Sequence, residues 1–98
     1  MQIGRVIGSV VATHKEEKLA GLKLLVVQLH DVRAKPLDAY TVAVDAVGAG
    51  LREMVLVATG SSARQTKATE GRPTDATIMA IVDSWDIEGG VVWDKEAE

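Results

Sequence analysis

The sequence predicts a mainly β protein, a small OB-like closed β-barrel of five to six strands with one or two short helical turns. Three observations carry that prediction. Apolar runs of strand length recur along the chain, turn signals separate them at regular intervals, and no stretch sustains the period of a long helix. With 98 residues, 47% of them apolar, there is room for one domain and one core. A domain of this size buries only about 60–65% of the surface its unfolded chain exposes, so the high apolar fraction also points to association with other chains.

Residues 2–13, QIGRVIGSVVAT, form the first predicted strand. Ile3, Ile7 and Val11 share one face and Val6 and Val10 the other, so both faces are apolar. Gly4 and Gly8 would permit the bend of a barrel strand. HKEEKLA, residues 14–20, is a charged, solvated loop that ends at Gly21. Leu22 to His30 is the second strand, again apolar on both faces: Leu22, Leu24 and Val26 against Leu25, Val27 and Leu29. DVRAKPLD then reads as a polar turn containing Pro36.

The third strand, AYTVAVDAV, alternates Tyr40, Val42 and Val44 with Thr41, Ala43 and Asp45, the pattern of a half-exposed strand. GAGLRE turns the chain into a fourth strand, MVLVAT. After Gly60, SSARQTKA suits one helical turn with a serine cap, and Thr74 or Asp75 is placed to start another. TIMAIVDSWDI is read as one continuous fifth strand, with Trp85 at an inward position. Gly89 and Gly90 turn into a short sixth strand, VVWD, where Trp93 makes a contact. Residues 1–94 are thus expected to form the barrel domain and 95–98, KEAE, a flexible polar tail.

Chemistry finds little support. There is no cysteine, hence no disulfide, thiolate ligand or thiol nucleophile. Gly48 and Gly50 could open a dinucleotide fingerprint, but Glu53 occupies the third glycine position and a strand follows where a helix is needed. Ser61 and Ser62 lack the nucleophile-elbow pattern, because Ala63 and Arg64 follow. His14 and His30 are separated by a whole strand and make a poor metal pair. Asp83 and Asp86 fall on opposite parities of their strand, which does not favour paired-carboxylate work.

A net charge of −3 and only three aromatic residues, Tyr40, Trp85 and Trp93, argue against a basic groove with stacking platforms for nucleic acid. No apolar run approaches the roughly 20 residues of a membrane span. Met1 leads directly into a strand pattern, so no export signal is expected. The residues therefore imply no catalytic site, no cofactor, no metal, and neither nucleic acid nor membrane as partner. The reading kept open beside a structural role is an OB-fold ligand- or nucleic-acid-binding module.

Five fragments agree on a more specific identity. MQIGRVIGSVVATHK, LAGLKLLVVQL, VDAVGAG, VLVATGSSARQ and RPTDATIMAIVD, in that order over residues 1–86, resemble the EutN/CcmL family of bacterial microcompartment vertex proteins. The resemblance implies an OB-like barrel that assembles as a cyclic homopentamer. Such a ring closes the five-fold vertices of a polyhedral shell, carboxysome or metabolosome, beside hexagonal shell proteins, in the cytoplasm. It carries over no catalytic residue and no cofactor. It implies a subunit-interface or axis region at Gly48, Gly50, Gly60, Ser61, Ser62 and Arg64. Arg64 is expected either to pair with an acid of an adjacent subunit, with Asp45, Glu53 and Asp75 as unranked candidates, or to remain an exposed surface arginine. Arg52 departs from the pattern by standing where the family usually has glycine, which makes the sign of its φ the quantity to inspect.

Overall fold

A computed structural model describes residues 1–98. Seven strands run in chain order: β1 (Gln2–Val10), β2 (Leu24–His30), β3 (Pro36–Asp45), β4 (Met54–Thr59), β5 (Ala76–Ile81), β6 (Ser84–Ile87) and β7 (Gly90–Asp94). Five of them close a barrel in the order β1-β2-β3-β5-β4, and β6 and β7 form a separate two-stranded sheet. All barrel pairings are antiparallel except β3 with β5. Short 3-10 turns at Glu17–Leu19, Gly60–Arg64 and Lys95–Ala97 are the whole helical content. The expected small barrel with scraps of helix is what the chain forms.

The core follows from strand alternation. Val6, Leu25, Val27, Ala43, Ala49, Val55, Val57, Ala76 and Ile78 fill the barrel, and most are small or β-branched, which suits a narrow interior. Gly4 is required by closeness: a Cβ there would lie 2.5 Å from Val27 Cγ1 and 2.7 Å from the Gln28 carbonyl oxygen. That is how β1 and β2 approach so tightly. The bend in β1 comes from a register shift between Val6 and Gly8, a bulge that turns Ile7 outward.

Four expected boundaries move, each for a local reason. The fifth strand is broken: β5 stops at Ile81 and β6 resumes at Ser84. The last bond to β4 is Val82 N–H to the Met54 carbonyl at 2.8 Å, and the next residue already faces the other hairpin strand, the Asp83 carbonyl accepting from Lys95 N–H at 2.8 Å, so the chain changes partner from β4 to β7 there. Pro36 belongs to a strand and not to a turn: it opens β3 opposite His30, the position where a missing N–H costs least. The first strand ends at Val10, short of Thr13, and the second begins at Leu24, beyond Leu22. The charged loop between them contains a 3-10 turn, closed by Leu19 and Ala20 N–H on the carbonyls of Glu16 and Glu17.

The β6–β7 hairpin is tied to the barrel by its tryptophans and by charge. Trp85 and Trp93 stack with ring centroids 5.5 Å apart, so Trp85 sits on the hairpin and not inside the barrel. Its indole N–H donates to the Val32 carbonyl at 2.8 Å, which fastens the hairpin to the β2–β3 turn. Residues 95–98 add two ion pairs, Lys95 to Glu53 at 3.0 Å and Arg5 to Glu98 at 2.8 Å.

Candidate assembly surface

The expected interface residues fall into two connections, one before β4 and one after it. The first is residues 46–53. The Asp45 carboxylate accepts the N–H groups of Val47, Gly48 and Ala49, each at 3.1 Å. Its side chain is only 2% exposed and pairs with Lys23 at 3.6 Å, whose ammonium also donates to the Ala49 carbonyl. Gly48, at φ +80°, takes the left-handed conformation that only glycine enters freely, while Ala49 tucks into the core. Gly50 has no positive φ; its N–H donates to the Glu53 carboxylate at 2.7 Å.

Arg52 does have one, +73°. The turn therefore keeps the geometry that glycine would favour, and a side chain is strained into it. Its backbone explains why: Arg52 N–H donates to the Val6 carbonyl at 2.8 Å and its own carbonyl accepts from Arg5 at 3.0 Å. Glu53 follows with its carboxyl held below the ordinary value of 4.5, first by the hydrogen bond from Lys95 and then by that from the Gly50 N–H.

The second connection starts at Gly60, φ +65°, whose N–H donates to the Asp75 carbonyl. The 3-10 turn Gly60–Arg64 is not capped by serine. Thr59 holds the cap position without a side-chain bond, and Ser61 and Ser62 are exposed. The turn is anchored from beneath, where the buried Thr77 hydroxyl donates to the Ala63 carbonyl at 2.6 Å. Arg64 donates to the Thr74 carbonyl at 2.9 Å, and within the chain it meets no acid. No helical turn begins at Thr74 or Asp75. Instead the Thr66 and Thr69 hydroxyls pair at 2.7 Å to shape the preceding loop, and the Thr74 hydroxyl bonds into the start of β5.

The structure does not bring the two connections together. The six residues of β4 lie between them, roughly 20 Å at the usual rise of a strand. What lies on the outer barrel surface is apolar. Val10, Leu24, Val26 and Val42 occur in facing registers on β1, β2 and β3, and Tyr40 and Val42 remain 55% and 48% exposed. The first two strands display the two-faced pattern that the sequence suggests. The contribution of β3 was harder to see: Ala43 points inward and the larger Tyr40 and Val42 outward, the reverse of what side-chain size alone suggests. The spacing of Tyr40 and Val42 was the available signal.

His30 Nδ1 lies 3.3 Å from the Ala34 carbonyl oxygen, far along the chain from the serine pair, and no three His, Asp or Glu side chains converge as a metal site.

Residues 1–83 match the family described as "Ethanolamine utilisation protein EutN/carboxysome". The carboxysome shell vertex protein CcmL of Synechocystis is 46% identical over 95 residues, covering 97% of this chain and 95% of that protein. The solved structure of Gloeobacter violaceus CcmL superposes with a TM-score of 0.94 at 46% identity, over 98% of this chain and 99% of the other. A structure described as the GrpN pentameric microcompartment shell protein from Rhodospirillum rubrum matches with a TM-score of 0.82 at 45% identity, over 89% and 99% of the two chains.

Proposed function

This chain belongs to the EutN/CcmL family, and from that membership we propose that it is a structural shell protein, a cyclic pentamer that caps the five-fold vertices of a bacterial microcompartment. The observation that carries the reading is the near full-length match, at 45% identity, to a shell protein described as pentameric. The chain is not an enzyme; its work is geometric. Six-fold tiles cover a plane, and closure around a volume requires five-fold positions. Its partners are four further copies of itself and the hexagonal shell proteins around the ring. Its location is the microcompartment shell in the cytoplasm. Nucleic acid and membrane are not among its partners, and a nucleic-acid-binding OB module is not favoured.

A cyclic ring is heterologous, so one patch of each subunit meets a different patch of the next. Two exposed connections at opposite ends of β4 fit that requirement. Gly48 and Gly50 would belong to one patch and Gly60, Ser61, Ser62 and Arg64 to the other. The small side chains of Gly60–Ser62 suit close approach of five copies, and Arg64, which meets no acid within its own chain, would pair with an acid of the neighbour. Apolar burial at about 25 cal/mol per Å² on the outer face of β1–β3 would add stability that a narrow core lacks.

The test is the shell itself. Deleting the gene, in a background with no second vertex protein, should leave tiles that assemble into open, elongated or leaky shells under the electron microscope. The enclosed enzymes should keep their turnover in lysates. Sealed, regular polyhedra would overturn the vertex role.

A further inference from the structure

The barrel is open along one seam. β1 pairs with β4 only from Gln2 to Arg5, and the next bonds across are Val6 N–H to the Glu53 carbonyl and Arg52 N–H to the Val6 carbonyl. Beyond them β1 runs on to Val10 with its β4-side edge unpaired. The opening is a cleft of about 450 Å³, with the core residues Val6 and Leu25 as its floor and Ile7 and Leu51 as its lips. Both lips lie in water, Ile7 43% and Leu51 64% exposed. An open strand edge beside apolar surface is a feature that folded proteins cover.

Gly8, in the same cleft, is an independent sign of a close neighbour. Its φ is not positive, and a Cβ there would meet nothing nearer than Val26 at 3.9 Å. Gly4 on the same strand is required by its own chain; Gly8 is not, and such a strand glycine marks the approach of another group. Lys23 at the rim has capacity to spare as well. Its ammonium pairs with Asp45 at 3.6 Å and donates to the Ala49 carbonyl at 3.1 Å, which leaves a third N–H. The cleft therefore suits an occupant with an apolar body and an acceptor at its tip.

The outer face of β3 carries such a group in Tyr40, exposed beside Val42. β1 and β3 stand two steps apart round a five-stranded barrel, so cleft and ridge face different ways, as a cyclic heterologous contact requires. Each adjoins one of the two connections. Leu51 is the outward apolar residue of the first, whose polar groups turn inward. The parallel register Val44–Thr77, carried back along both strands, brings Val42 level with Asp75, whose carbonyl accepts from Gly60 at the start of the second.

We propose that Tyr40 of each subunit seats in the Ile7–Leu51 cleft of the next, with its ring over Gly8 and its hydroxyl accepting from Lys23. This rests on the ring of five and names the anchor that holds it: an aromatic side chain in a desolvated pocket carries a large share of an interface.

The full-length chain with benzoylphenylalanine in place of Tyr40 is checked for ring mass by native mass spectrometry, irradiated and digested. Covalent pairs of chains are expected, with position 40 joined to residues 6–9 or 50–52. Tyr40→Ala and Leu51→Asp should each raise the subunit concentration for half-assembly about ten-fold or more, with an unchanged circular dichroism spectrum. Tyr40→Phe, which loses only the hydroxyl, should raise it about five-fold. The double variant Tyr40→Ala, Leu51→Asp should do little more than either alone, because both remove one contact. Rings whose cross-links from position 40 fall elsewhere or only within one chain, or single variants whose effects add, would overturn the contact and leave the ring standing. A wild-type chain that forms no ring would overturn both.

Discussion

Before β4, polar groups turn inward. Asp45 gathers three backbone N–H groups, Lys23 pairs with it, and Glu53 holds both Gly50 and Lys95. After β4, the two serines stand in solvent and the turn is held by the buried bond from Thr77 to the Ala63 carbonyl and by Gly60 and Arg64 on the carbonyls of Asp75 and Thr74. Both connections reverse the chain between strands, and both use a positive-φ glycine to do it. They differ in where their side chains are committed. The first is self-sufficient, so its residues hold the fold. The second leaves small side chains and one arginine facing outward, the arrangement that suits a subunit contact. Stability and assembly should therefore separate by mutation across the six residues of β4.

The largest effect should come from Asp45→Ala. Three N–H groups lose an ionised acceptor and Lys23 loses its partner, so unfolding in urea should show a loss of about 3 kcal/mol. A loss under about 1 kcal/mol would mean that water replaces the carboxylate and that the first connection is less self-sufficient than its geometry. Arg52→Gly should act in the opposite direction. At φ +73° the side chain is strained and exposed, and glycine should stabilise by about 1 kcal/mol after the entropy it adds to the unfolded chain is subtracted. Destabilisation would show that the Arg52 side chain contributes something beyond its backbone bonds.

Acid should next probe the link between the first connection and residues 95–98. The folded pKa of Glu53 is depressed, chiefly by the Lys95 hydrogen bond. Its contribution is thus fully present above the ordinary 4.5 and is lost as pH falls from there through the folded value. Lys95→Met should flatten that part of the stability-versus-pH curve, and an unchanged curve would remove the pair from the account. The smallest effect belongs to the second connection. Ser62→Ala should change subunit stability by less than about 0.5 kcal/mol, and a larger change would break the contrast between the two connections.

Much of this was legible in the sequence, for physical reasons that differ by element. Leu25 and Val27 stand opposite Leu24 and Val26 by strict parity, so β2 and its two apolar faces could be read directly. Gly48 marked a left-handed turn, and Arg52 in the place of a glycine drew attention to a conformation that proved to be glycine's. The break at Val82 and Asp83 was hidden, because there the chain exchanges one partner for another, Val82 bonding Met54 of β4 and Asp83 bonding Lys95 beyond β7, a consequence of pairing that the local sequence does not carry. The serine cap was misread for a similar reason: what secures that turn is Thr77, distant in sequence. The Arg5–Glu98 contact joins opposite ends of the sequence, and no spacing rule reaches across it. Gly48, Gly50, Gly60, Ser61, Ser62 and Arg64 are placed by a single chain only to the extent of their exposure and bonding; their neighbours are a property of the ring.

That ring is the central claim, and native mass spectrometry of the purified chain at micromolar concentration tests it most directly. The account predicts one dominant species of five subunits, retained when Ser62 is replaced by alanine. Only monomer or dimer would contradict it, and a ring of six would keep the apolar outer face as an interface while removing the vertex role.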